Sequence, residues 1–70
     1  MKQYDVVRVV ALRDGRFAAG TPEFKRYPRP GDIGTILEAY DGGFEVECCE
    51  PNTAVPIWIE TMFHDEIEMG

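Results

Sequence analysis

Three residues of this chain have the side-chain types needed for nucleophilic catalysis. Cys49 carries a thiol, His64 is the only histidine, and Asp65 follows it directly. A thiol, an imidazole and a carboxylate can act together as nucleophile, base and orienting group. However, Cys49 lies close in sequence to Glu47 and Glu50, and neighbouring negative charge disfavours the thiolate that would attack. We therefore expect this set to have no catalytic activity and the protein not to be an enzyme.

The two cysteines also limit the covalent and metal chemistry of the chain. Cys48 and Cys49 are adjacent and are the only cysteines, so a disulfide between them would close no useful loop. Adjacent strand residues point to opposite faces, and the Cys-x-x-Cys spacing of zinc sites is absent. We expect no metal or other cofactor, and a reducing cytoplasm suits these thiols best.

The charged residues are unevenly distributed along the sequence. The net charge is −6, from 13 acidic and 7 basic residues. All seven basic residues precede position 30, where only three acids occur, whereas residues 30–70 hold ten acids and no lysine or arginine. Two interpretations follow: a basic loop that folds over an acidic domain and neutralises it, or a bipolar surface that steers a partner.

The length predicts one small domain over residues 1–70. A core of this size rarely supplies more than about 3–5 kcal/mol, so small domains often gain stability by association. Asp5 and Arg8 interrupt the apolar run at the N-terminus, which does not match a signal peptide, and no run approaches the roughly 18 apolar residues of a membrane span. The sequence favours a cytoplasmic protein without a membrane segment.

Alternating apolar and polar residues predict five strands, at 4–12, 31–40, 44–49, 54–59 and 65–69. No segment has a convincing helical period, so the pattern favours a small all-β barrel. Residues in the apolar phase of each strand form the expected core: Val7, Val9, Ile36, Phe44, Val46, Ile57, Ile59 and Ile67. The same alternation places Val55 and Met69 inward.

Two of the predicted strands contain irregular positions. Ile33 and Ile36 cannot share one face of an unbroken strand, and Gly34 between them is the natural place for a turn or bulge. Pro56 cannot donate to a β-ladder, so the fourth strand should lie at a sheet edge. Trp58 falls on the outward face with Pro56, unless a bulge near Pro56 shifts the register and makes Trp58 a core residue.

Residues 13–30 form one long basic loop between the first two strands. This segment holds five of the seven basic residues together with three prolines and two glycines. Loops of this length in compact domains are more often functional than idle. Phe17, Phe24 and Tyr27 are expected to anchor the loop on the domain, because exposed aromatic rings would be costly.

Several short motifs resemble those of the SH3-like barrels of accessory proteins. The residues 31–36, Gly-Asp-Ile-Gly-Thr-Ile, the Asp-Gly-Gly turn at 41–43 and the short Asp-Glu-Ile strand at 65–67 are similar to a bacterial family of short SH3-like proteins. The Asp-Gly-Arg-Phe-Ala-Ala-Gly segment at 14–20 resembles the NifZ family of nitrogen-fixation accessory proteins. These resemblances imply a five-stranded SH3-like barrel, a non-catalytic accessory role and no catalytic residues.

Nucleic acid and proline-rich peptides are less suitable partners for this sequence. The Gly-Asp-x-Gly step at 31–34 resembles the start of an RNA-binding KOW motif, but residues 30–70 carry no base that could contact phosphates. Peptide-binding SH3 domains present an acidic loop to a basic ligand, whereas the corresponding loop here is basic.

The sequence therefore predicts a protein-interaction module that docks on a larger enzyme. Aromatic and arginine side chains dominate binding energy at interfaces, so the predicted partner-binding residues are Arg13, Arg16, Lys25, Arg26, Tyr27, Arg29, Trp58 and Phe63. The alternative is an acidic inhibitor, antitoxin or immunity protein whose carboxylates cover the basic site of a nuclease.

Overall fold

A computed structural model describes residues 1–13, 15–17 and 20–70 of the chain. These residues form five strands and no helix: β1 (Val6–Val9), β2 (Ile33–Tyr40), β3 (Gly43–Cys49), β4 (Pro56–Met62) and β5 (Ile67–Met69). The predicted all-β class is thereby confirmed. The described residues therefore contain no helix that is long and apolar enough to cross a membrane. Asp14, Ala18 and Ala19, which belong to the motif at 14–20, lie outside the described residues.

The five strands form one antiparallel sheet in the order β4-β3-β2-β1-β5. Strands β1 to β4 are sequence neighbours that pair in turn, and β5 returns to pair with β1. The tight β2–β3 turn contains Gly42 at a φ of 130°, a conformation that only glycine adopts without strain. β4 and β5 lie at the two edges, and no pairing between described residues joins them into a closed sheet. The predicted edge position of Pro56 in β4 is confirmed.

The buried core follows the predicted alternation in four of the five strands. Val7, Val9, Ile36, Val46 and Ile67 are all buried, as expected, and Cys48, Trp58 and Met62 complete the cluster. Phe44 and Ile57 are partly buried and pack against this core.

The outward position predicted for Trp58 is wrong, and the alternative, a bulge near Pro56 that makes Trp58 a core residue, is confirmed. Trp58 is only 1% exposed, whereas Val55, predicted inward, is 43% exposed. Trp58 pairs with Cys48, but the next pair is Cys49 with Pro56, so Ile57 is an extra residue in the ladder. This bulge reverses the phase of the strand, and Trp58 shares the inward face of Cys48.

Two other residues predicted to face inward are not part of the buried core, for different reasons. Ile59 pairs with Glu47 on the outward face of the sheet and is half-buried. Met69 pairs with buried Val7 but is 56% exposed, because it lies near the end of the short edge strand β5. The inward prediction for Ile59 is therefore wrong, whereas Met69 lies on the predicted face but is not buried.

The irregularity in β2 lies three residues after the predicted one. Ile33 is 51% exposed and Ile36 is buried, so they occupy opposite faces as expected. The register shifts between Ile36 and Glu38 rather than at Gly34. A Cβ atom on Gly34 would lie 2.7 Å from Val46 Cγ1 and 2.8 Å from the backbone oxygen of Glu47. Glycine is therefore needed here for close packing on β3, and not for a turn.

Candidate functional site

Arg13 is the first residue of the basic segment, residues 13–30, and contacts the turn before β5. Its Nη2 lies 3.2 Å from Asp65 Oδ1, and its guanidinium carbon lies 3.9 Å from the centroid of the Phe63 ring. Its backbone N–H donates a 2.8 Å hydrogen bond to Glu66 Oε2. Arg13 and Phe63, both predicted to contact a partner, therefore contact each other within the domain.

Arg16 is held more deeply than Arg13. Its side chain is 16% exposed, its Nε lies 3.6 Å from Glu66 Oε2, and its Nη2 donates a hydrogen bond to the carbonyl oxygen of Thr61. The guanidinium carbon lies 4.5 Å from the ring centroid of Phe17 and 4.8 Å from that of Phe63. These contacts fix Arg16 against the outer edge of β4.

Glu66 is the buried carboxylate that receives both arginine contacts. It is 1% exposed, and its Oε1 accepts a 3.0 Å hydrogen bond from the backbone N–H of Phe63. A carboxylate at this depth needs such donors, because burial without them is costly. The sequence analysis missed Glu66, since the alternation in 65–69 assigned inward positions only to Ile67 and Met69.

Asp32, just before β2, is a second centre of hydrogen bonds. Arg26 Nη1 and Nη2 donate to its two oxygens at 2.8 and 2.9 Å. The backbone N–H of Arg29 donates at 2.9 Å, and the indole Nε1 of Trp58 donates at 2.8 Å. One carboxylate therefore joins the basic segment to β4 across the start of β2.

The electrostatics of Asp32 and Arg26 indicate a stable ion pair. Burial raises the pKa of Asp32, but the hydrogen bonds from Arg26, Arg29 and Trp58 outweigh this effect and hold that pKa below its usual value. The pKa of Arg26 is raised by its hydrogen bonds to Asp32. Both shifts favour the charged forms, so the bidentate pair remains intact at neutral pH.

The middle of the basic segment is tied to the edge of β4 and the turn before it. Lys25 Nζ forms an ion pair with Glu50, and the backbone N–H groups of Lys25 and Arg26 both donate to the carbonyl oxygen of Ile57, at 3.1 and 3.3 Å. These backbone bonds satisfy part of the edge strand, which would otherwise expose an unpaired carbonyl group.

The aromatic residues of this segment follow two patterns. Phe17 and Tyr27 stack with ring centroids 4.8 Å apart and are half-buried, in agreement with the anchoring predicted for them. Phe24 is 40% exposed, so the prediction that it also anchors the segment is wrong.

Four of the five basic side chains in the segment are thus paired with carboxylates of the domain itself. Arg29 is the exception: among the described residues no carboxylate forms an ion pair with its side chain. The contacts of the other four favour the self-neutralising interpretation of the basic segment. Trp58, buried in the core, presents no surface to a partner, so its predicted outward position is corrected.

The outward face of the sheet carries aliphatic side chains in contact with solvent. Val6 and Ile33 are 49% and 51% exposed. Val6 pairs with Thr35, and Thr35 pairs in turn with Glu47, which has half-buried Ile59 on its other side. Residues that pair across strands share a face, so these aliphatic groups lie on one continuous surface.

The same face is acidic where β2 meets β3. Glu38 lies directly opposite Glu45, and Glu47 is two residues further along β3. The Tyr40 hydroxyl donates a 3.1 Å hydrogen bond to Glu45, and this bond, with the charges of Glu45 and Glu38, raises the pKa of Tyr40. No lysine or arginine in the described residues forms an ion pair with Glu38, Glu45 or Glu47. The outer sheet face is hereafter the surface formed by Val6, Ile33, Thr35, Glu38, Tyr40, Glu45, Glu47 and Ile59. Arg8, opposite Ile33, and Glu68, opposite Arg8, lie on the same side of the sheet and form an ion pair with each other.

The candidate catalytic residues do not meet in the fold. Cys49 pairs with Pro56 at one end of β4, whereas His64 and Asp65 follow Met62 at the other end. Six residue steps along a strand span about 20 Å. Burial and the nearby Glu47 carboxylate also raise the pKa of the Cys49 thiol, so this set is not assembled as a nucleophile and its base.

Neither a search for metal-ligating groups nor a comparison with known proteins identifies a further site. Among the residues that the structure describes, no group of three histidine, cysteine, aspartate or glutamate side chains is placed to hold a metal ion. Comparison with family models, with curated proteins and with solved structures finds no match for this chain.

Proposed function

We propose that this protein is a cytoplasmic, non-catalytic interaction module that docks on a larger protein as an accessory factor. The observation that carries the proposal is the outer sheet face, on which Val6 and Ile33 remain about half exposed. Exposed aliphatic side chains that adjoin on one sheet are typical of a surface that a partner covers. Burial of this face would also add to the limited stability of a domain with one small core.

The placement of the docking surface differs from that predicted from the sequence. Trp58 belongs to the core, and Arg13, Arg16, Lys25 and Arg26 already pair with carboxylates of the domain. A partner that used these four cations would first have to replace their internal contacts. We therefore assign docking to the outer sheet face. Among the described residues, Arg29 is the basic residue whose side chain forms no ion pair within the domain.

The fold behind this proposal is SH3-like. Its support is the strand order β4-β3-β2-β1-β5, in which the segment between β1 and β2 packs on the edge of β4 through Ile57. The accessory role follows from the resemblance of the glycine-centred motifs and not from the sheet itself.

Capture of a partner from the native cell, with matched variants, tests the proposed function. Ile33→Asp introduces a charge on the outer sheet face, and Val55→Asp introduces the same charge at a residue that is 43% exposed and precedes β4. We expect the wild type and Val55→Asp to retain one common protein, identified by mass spectrometry, and Ile33→Asp to lose it. Equal retention by all three, with folding verified by circular dichroism, contradicts the proposal.

A second candidate function is an acidic inhibitor that covers the basic site of a nuclease. The observation in its favour is that Glu38, Glu45 and Glu47 have no cation partner among the described residues. Inhibition of a nuclease encoded by a neighbouring gene, relieved by neutralising these carboxylates, would favour this role over the accessory one.

A further inference from the structure

The repeated carboxylates on the outer sheet face define the chemistry of its partner. Glu38 and Glu45 are directly opposite each other on β2 and β3, and like charges at such positions destabilise a sheet. The only polar side-chain contact of Glu45 in the described residues is the Tyr40 hydroxyl, which is neutral. The free domain therefore carries a local repulsion that none of its own described cations relieves.

The distribution of ion pairs leaves this repulsion in place where β2 meets β3, because Arg8, a cation on the same face, is paired with Glu68. Six basic residues are paired: Lys2 with Asp5, Arg8 with Glu68, Arg13 with Asp65, Arg16 with Glu66, Lys25 with Glu50, and Arg26 with Asp32. Much of the remaining negative charge lies on β2 and β3, beside the aliphatic side chains of Val6, Ile33 and Ile59. The surface thus combines unpaired carboxylates with apolar area.

We propose that the outer sheet face binds a protein segment that presents lysine or arginine side chains together with aliphatic ones on the same side of the segment. This inference rests on the proposed function and adds the chemistry of the partner. The cations would pair with Glu38, Glu45 and Glu47, and the aliphatic groups would cover Val6, Ile33 and Ile59. A second copy of the chain is a poor occupant, because each copy has a net charge of −6 and would present the same carboxylates.

A synthetic peptide with lysine and valine at positions i and i+2, so that both lie on the same side when it is extended, is the probe. The same peptide with glutamate in place of lysine is its control. Binding is followed by the backbone amide chemical shifts of the whole domain. We expect the lysine peptide to shift resonances of Thr35, Glu38, Glu45 and Glu47 and the glutamate peptide to shift none. Shifts spread evenly over the domain, or centred on residues 20–30, overturn the inference. A dimer detected by sedimentation, with concentration-dependent amide shifts on the outer sheet face, also overturns it.

Neutralised carboxylates provide the matched variants. Glu45→Gln and Glu47→Gln should each weaken binding of the lysine peptide about twofold to fivefold, the size of an exposed ion pair, and added salt should reduce the difference. Glu23→Gln is the control, because Glu23 is an exposed acid outside the outer sheet face. Equal weakening by Glu23→Gln would show a general effect of net charge and would overturn the inference.

The repulsion itself gives a test that needs no ligand. Glu38→Gln removes one of two facing charges and should raise the urea concentration at the unfolding midpoint, while it weakens peptide binding. Glu68→Gln, which breaks the Arg8 pair, should not raise the midpoint. A lower midpoint for Glu38→Gln contradicts the proposed repulsion.

The two proposals fail in different ways. If the lysine peptide does not map to the outer sheet face but Ile33→Asp still abolishes capture of the native partner, the docking surface stands and its basic occupant is wrong. If Ile33→Asp leaves capture unchanged, the proposed function is wrong. If a single-stranded oligonucleotide shifts the same resonances more strongly than the peptide, the partner class is wrong.

Discussion

The indole Nε1 of Trp58 donates a 2.8 Å hydrogen bond to Oδ2 of Asp32. This contact shows that Trp58 lies inside the domain. It also shows that Asp32, which accepts hydrogen bonds from Arg26 and Arg29 of the basic segment, bonds to β4 as well. The indole ring is 1% exposed and its only donor is satisfied, as is usual for a buried tryptophan. Trp58 therefore stabilises the domain from within its core and has almost no exposed surface to offer a partner.

Replacement of Trp58 should act on stability and not specifically on partner dissociation. Trp58→Phe keeps an aromatic ring but leaves the Asp32 carboxylate without one donor, which should cost at least about 1.5–3 kcal/mol of unfolding free energy. Trp58→Ala should cost about 3–5 kcal/mol. Urea denaturation followed by circular dichroism measures both. An unchanged unfolding free energy in Trp58→Phe would show that the hydrogen bond to Asp32 contributes nothing.

Asp32 should make the domain sensitive to acid. Its pKa is lower in the folded state than its usual value, so the unfolded chain binds the proton more readily. The stabilisation by ionised Asp32 is complete above the unfolded pKa of about 3.9 and is lost as the pH falls through the folded pKa. Asp32→Asn should be less stable at pH 7 and should show a flatter dependence of unfolding free energy on pH below about 5. Parallel curves for the two proteins would contradict this assignment.

The close packing of Gly34 on β3 predicts a specific pattern of mutational effects. Gly34→Ala should destabilise the domain by about 1–3 kcal/mol, because the new methyl group meets Val46 and the Glu47 carbonyl. Val46→Ala alone should cost a similar amount through lost burial. The double variant should not recover wild-type stability, since the Glu47 carbonyl still blocks the methyl group. Full recovery, measured by urea denaturation, would show that the side chain of Val46 is the only obstacle.

Charge reversal should have different effects on stability at Arg26 and at Arg29. Arg26 is half-buried and bidentate on Asp32, so Arg26→Glu should destabilise the domain strongly. The exposed side chain of Arg29 has no ion pair in the described residues, so Arg29→Glu should leave the unfolding free energy nearly unchanged. Equal losses in the two variants, measured by thermal unfolding, would contradict the separate roles.

Strand alternation was sufficient to predict much of the fold. Val7, Arg8 and Val9 alternate in and out of the core as their sequence predicts, and Val46 in β3 lies on the expected inward face. The failure occurred at β4, where the extra residue Ile57 reversed the phase. A bulge depends on pairing with another strand, so alternation within residues 54–59 alone could only leave the burial of Trp58 open.

The candidate site was less predictable than the fold. Composition revealed the charge asymmetry, but it could not show that Asp32, Glu50 and Glu66 bind the basic side chains. These pairs join residues that are distant in sequence or depend on the shape of the segment between β1 and β2. The opposition of Glu38 and Glu45 likewise depends on the register shift after Ile36, for which the sequence contains no specific signal.

Hydroxyl-radical footprinting of the complex with the captured partner tests the central claim most directly, because oxidation reports the solvent exposure of individual side chains. Val6, Ile33 and Tyr40 are 49%, 51% and 53% exposed in the free domain. We predict that the partner protects these three side chains, while Phe24 and Val55, at 40% and 43%, remain as reactive as in the free protein. Protection of Phe24 together with unchanged oxidation of Val6 and Ile33 would contradict docking on the outer sheet face. It would indicate that the partner docks on the basic segment instead.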